Sequence, residues 1–108
     1  MPDQIHPLLA EVWLQFREMI FHRVAVLEDA ANGAKQGELD DEVRQSAMRE
    51  AHKLAGSLGT FGLMEGTRIA REIEHLLEDP ANAWPAATRQ FVDLVAALDR
   101  ELAPHRPS

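Results

Sequence analysis

Residues 40–62, DDEVRQSAMREAHKLAGSLGTFG, carry the pattern that decides the fold. Val43, Ala47, Ala51, Leu54 and Leu58 recur three or four residues apart, which lines up one apolar stripe on a helix of 3.6 residues per turn. Asp40 and Asp41 stand at its start, where a carboxylate accepts free backbone N–H groups and suits the positive end of the helix. The run Gly59-Thr60-Phe61-Gly62 is expected to turn the chain, so a helix is predicted over about residues 40–58.

The same period extends outward on both sides. Upstream, a helix is predicted from about Pro7 to Lys35, with Pro7 at its first position and Gly33 and Gly37 marking its end. Leu9, Val12, Phe16, Met19, Ile20, Val24 and Leu27 form its expected buried stripe. It is longer than its neighbours, so part of it should overhang or bend. Downstream, a third helix is predicted over about residues 63–79, burying Ile69, Ile73, Leu76 and Leu77 and stopped by Pro80. A fourth begins near Pro85 and ends before Pro104, burying Phe91, Leu94, Val95, Leu98 and Leu102. Trp84 is expected to staple onto it. Strand signals are nearly absent, since nothing alternates with period two and the chain has no Tyr. Short connections imply antiparallel neighbours. The expectation is an all-α, up-down-up-down four-helix bundle with an extended first helix. It forms one domain over residues 1–108, ordered over about 7–103, with the first residues and the tail from Pro104 frayed.

Composition narrows the function. The net charge of −7 disfavours binding to nucleic acid or anionic lipid. The absence of Cys removes disulfides and thiolate metal sites and fits a reducing, cytoplasmic setting. No basic segment followed by an apolar stretch opens the chain, so no signal peptide is expected, and no apolar run is long enough to span a membrane. Glu72-x-x-His75 is a single half of a di-iron motif that needs two, so no metal is expected. Gly56-x-x-Gly59-x-x-Gly62 has neither the spacing nor the preceding strand of a dinucleotide loop. A Gly-x-Ser-x-Gly elbow is missing as well.

His52 is the residue that the helical wheel singles out. It lies roughly 130° from the core direction of the second helix, facing solvent. Gly56 follows one turn later. A mid-helix Gly costs about 0.5–1 kcal/mol relative to Ala, and here it removes bulk where something must approach the ring. Arg49 lies one turn before, and Lys53 is adjacent. At neutral pH an ordinary imidazole is mostly neutral and keeps a free lone pair. A phosphoryl group placed there brings about two negative charges, which Arg49 and Lys53 would offset. Taken alone, the pattern fits either an ordinary surface histidine or a phosphoryl acceptor.

The run from His52 to Gly62 resembles the signature of histidine-containing phosphotransfer domains. There the His is followed by a hydrophobic residue at two positions on, Gly at four, Ser at five and Gly at ten; here these are Leu54, Gly56, Ser57 and Gly62. The resemblance implies that His52 accepts a phosphoryl group from a receiver-domain aspartyl phosphate, or from a histidine kinase, and passes it to a response-regulator Asp. It implies a phosphocarrier with no kinase activity or cofactor of its own, and Mg²⁺ on the partner receiver. Partners would be receiver domains of response regulators or hybrid histidine kinases, met by a monomer. Many members carry Lys three positions after the His; here that residue is Ala55, leaving Lys53 as the nearer candidate for the charge partner and Arg49 as a second. The family often sets a polar side chain from the next helix, 22 residues on, against the imidazole. That position is Glu74, expected to accept a hydrogen bond from one ring N–H. Receivers dock on an apolar patch around the His, for which Trp13 and Met48 are the expected residues. Two rivals are a helical interaction module that is never phosphorylated and the phosphoacceptor domain of a larger chemotaxis-type kinase. Since Met1 is present, a free-standing carrier and an N-terminal piece of a longer protein are both open.

Overall fold

The computed structural model describes residues 4–78, 84 and 86–107. Helix α1 spans Ala10–Lys35, α2 Asp41–Thr60, α3 Met64–Glu78 and α4 Thr88–Leu102, with short 3-10 turns at Pro7–Leu9 and Ala103–His105. No strand occurs among the described residues. Each helix packs on two others, in the ring α1–α2–α3–α4–α1, with α2–α3 the closest pair. This is the four-helix bundle expected from the periodicity. Pro80 and Pro85, read as stop and start signals, lie outside the described residues.

Local chemistry sets the helix ends. The Oδ1 atom of Asp40 accepts the N–H of Val43 at 2.8 Å, capping α2. Gly37 and Gly62 have φ of 74° and 77°, the left-handed region. Each closes the preceding helix with a paired set of bonds: Glu38 N–H to Gly33 C=O at 2.7 Å after α1, and Leu63 N–H to Leu58 C=O at 2.9 Å after α2. The second helix therefore runs two residues beyond the predicted Leu58. Gly59 is inside it, close to Thr67 of α3, rather than in the turn.

Small residues explain why α2 and α3 approach so closely. Ala47, Ala51 and Ala55 on α2 and Gly66, Thr67 and Ala70 on α3 are all buried in this pair. A Cβ on Gly66 would come within 3.1 Å of Leu58 Cδ1. The one buried polar side chain among the described residues, Thr67, is satisfied by donating to the Ala55 carbonyl at 3.2 Å. At the far end of the pair, the Arg44 guanidinium donates to the Leu77 carbonyl and pairs with Asp41 at 2.7 Å.

Two expectations are corrected. On α1, Ile20, Val24 and Leu27 are buried as predicted, but Val12, Phe16 and Met19 are exposed and Trp13 takes the inward position. The apolar arc of this helix is wider than one stripe, and the inward phase set by Ile20, Val24, Leu27, Ala31 and Ala34 brings Trp13, not Phe16, into line with the core. The tail, expected to be frayed from Pro104, is docked at His105 and Arg106. His105 meets the Trp13 ring edge-on at 5.8 Å. The Arg106 guanidinium lies 4.9 Å above Phe21 and 3.1 Å from Asp99. Trp84 packs edge-on against Phe91 at 5.8 Å, as a staple would.

Candidate functional site

The hairpin of α2 and α3 brings the site together. The turn at Gly62 folds the helices antiparallel, so residues equally distant from Leu63 face each other, and His52 meets Glu74. Nδ1 of His52 lies 2.7 Å from Oε2 of Glu74. The His52 side chain is 74% exposed, whereas the Glu74 side chain is only 17% exposed. An ionised carboxylate only accepts, so in this pair Nδ1 carries the proton. The lone pair of the neutral ring is then on Nε2. A half-buried carboxylate holding one face of an open imidazole fixes both its tautomer and its direction.

A shallow depression surrounds the ring, lined by Met48, Arg49, Lys53, Glu74 and Glu78. Side chains on a helix lean toward its N-terminus, so the imidazole covers the turn holding Met48 and Arg49 rather than the turn that follows. Lys53 is 3.8 Å from Glu50, and Glu50 is bound by Arg23 of α1 at 2.7 Å. Arg49 is exposed. Ala55, at the position where related domains often have Lys, is buried against α3.

Gly56 is exposed, and a Cβ built on it would meet nothing within 4 Å. Nothing inside the molecule requires glycine at this point. A side chain there would lean back over the turn of His52 and Lys53. Ser57, one residue on, is half-buried and lines a separate groove with Phe16, Met19, Thr60 and Phe61.

Trp13, expected at a docking surface, does not line that groove. Trp13 is 6% exposed, held edge-on by Phe61 at 5.1 Å and Phe21 at 6.3 Å, and offers no surface to a partner. Its neighbours Val12, Phe16 and Met19, read from sequence as core, form the exposed apolar strip instead, with Phe16 43% exposed. Their signal was present in the crowding of Val12, Trp13, Leu14, Phe16 and Met19, more apolar residues than one stripe can bury. Met48 is half-buried, packing on the core while also lining the His52 depression.

Among the described residues, no group of three His, Asp or Glu side chains is arranged to hold a metal ion. No helix is long and apolar enough to cross a membrane.

Residues 11–102 match the family model described as Hpt domain. Protein RcaC of Microchaete diplosiphon is 29% identical over 100 residues, a stretch that covers 93% of this chain and 15% of that protein. The chain thus spans about one-seventh of the length of this curated relative. No solved structure matches.

Proposed function

The chain belongs to the Hpt domain family, the histidine phosphotransfer modules of phosphorelays, and from that premise we propose that His52 carries the phosphoryl group between an aspartyl phosphate on one receiver domain and an aspartate on another. The observation that carries the reading is the exposed ring whose Nδ1 is tied to Glu74 at 2.7 Å, leaving Nε2 open.

The chemistry follows from that geometry. Nε2 attacks the phosphorus of the partner's aspartyl phosphate. The P–N bond forms as the bond from phosphorus to the carboxylate oxygen breaks, and the aspartate leaves as a carboxylate. The ring gains positive charge while keeping its Nδ1 proton, and the Glu74 carboxylate offsets that charge. In the reverse direction the phosphoramidate is attacked by an incoming carboxylate, and the neutral imidazole departs with its tautomer already set. Gly56 leaves room for the receiver's active-site edge, and the Val12–Phe16–Met19 strip supplies an apolar contact beside it. The receiver supplies Mg²⁺ and most of the charge stabilisation, and this chain acts as carrier without kinase activity.

Incubation with a phosphorylated receiver domain tests this. The protein should gain an acid-labile, base-stable label, and His52→Gln should gain none. An unlabelled wild-type protein that still binds receivers would instead identify a pure interaction module.

A further inference from the structure

We infer that Arg49, one turn before His52, is the cation that holds the phosphoryl group, in place of Lys53, whose ammonium lies beside Glu50. The assignment rests on His52 being the acceptor and names the charge partner at that same site.

Three observations carry it. The first is direction. The imidazole leans back over the turn holding residue 49, and Arg49 lines the depression in which the ring stands. A group attached at Nε2 extends outward above that turn. The second is availability. The guanidinium of Arg49 makes no ion pair with any described residue, although Glu74 and Glu78 line the same depression. Glu74 is already occupied by Nδ1 of His52. Lys53, in contrast, is drawn to Glu50 at 3.8 Å, and Glu50 is itself anchored by Arg23 at 2.7 Å. The Lys53 ammonium thus already has a carboxylate neighbour, whereas Arg49 has none among the described residues. The third is the closed alternative: position 55 is an alanine, 4% exposed, whose carbonyl accepts from Thr67. Arg49 thus combines exposure, a free fork of N–H donors and the right side of the ring. A planar guanidinium is suited to two parallel bonds to phosphoryl oxygens.

Phosphoramidate, a small donor that needs no receiver, separates this role from docking. Its P–N bond breaks as Nε2 bonds to phosphorus, and ammonia leaves. Labelling of the full chain at low ionic strength should slow about five- to tenfold in Arg49→Gln, with the difference shrinking as salt is added. Arg49→Lys should recover part of the rate. Lys53→Gln should lose less than Arg49→Gln. In a ³¹P titration of the phosphorylated protein, Arg49→Gln should shift the second ionisation of the phosphoryl group upward, because a cation beside it favours the dianion. A merely structural role would leave that titration unmoved. Wild-type rate and titration in a folded Arg49→Gln, or a larger loss in Lys53→Gln, would overturn the assignment while leaving His52 as acceptor. A wild-type chain labelled by neither phosphoramidate nor a phosphorylated receiver would remove both.

Discussion

At the scale of single residues, two positions combine a local sacrifice with an outward use. Gly56 weakens its helix, and no neighbouring atom would obstruct a Cβ. Gly56→Ala should therefore stabilise the fold by about 0.5–1 kcal/mol, raising Tm by a few degrees, yet slow transfer from a receiver domain. Parallel melting and phosphotransfer assays check this, and the idea fails if the more stable variant transfers at the wild-type rate. Glu74 spends a half-buried carboxylate on a surface ring. In Glu74→Ala, ¹⁵N chemical shifts of the His52 imidazole should show loss of the preference for the Nδ1–H tautomer, with slower label uptake. Unchanged ring shifts would mean that the contact does not set the tautomer.

At the scale of elements, α1 has two apolar faces with different work. One carries Trp13, Ile20, Val24 and Leu27 into the core, and the other leaves Val12, Phe16 and Met19 exposed beside the C-terminal half of α2. Exposed apolar residues grouped in this way suit a partner contact better than a solvated face. Phe16→Ser should cut transfer from a receiver by roughly tenfold, the loss typical of a central apolar contact. It should leave labelling by phosphoramidate intact, because no docking is involved. Equal slowing of both reactions would argue for damage to the fold instead. The α2–α3 hairpin carries the proposed acceptor site. Its small residues set the close approach and its Gly62 turn sets the register, and together they deliver Glu74 to His52 across 22 residues of chain.

At the scale of the whole molecule, the C-terminal tail closes the bundle over the inward face of α1. His105 covers Trp13, and Arg106 bridges Phe21, Asp99 and, at 3.8 Å, Glu28. Burial, the neighbouring Asp99 and the nearby Asp29 raise the pKa of Glu28 above the usual carboxylate value, against the opposing pull of Arg106. The folded state therefore holds this proton more tightly than the unfolded chain does. Below the unfolded pKa the group contributes nothing; as pH rises through the window up to the folded value, it subtracts stability. Glu28→Gln should accordingly gain on the wild type as pH is raised from about 4 toward 7, measured as the difference in Tm. A difference that stays flat or shrinks with rising pH would contradict this account.

What the sequence determined by itself is whatever depends on neighbours along one helix. The 3.6-residue period of the apolar stripes marked four helices, and the stripe of α2, with the Asp40 cap and the turn ending at Gly62, faced His52 outward without any knowledge of packing, although Val43, counted in that stripe, is exposed. The run from His52 to Gly62 gave the family resemblance. Tertiary structure alone decided which apolar residues of α1 face inward, because an arc wider than one stripe has no unique phase until other helices cover part of it. Packing likewise docked the tail against Trp13, set Lys53 beside a carboxylate held by Arg23 and left Arg49 without an ion pair to any described residue. The docking of the tail and the Arg23–Glu50 pair depend on contacts between residues far apart in the chain, and periodicity carries no information about those.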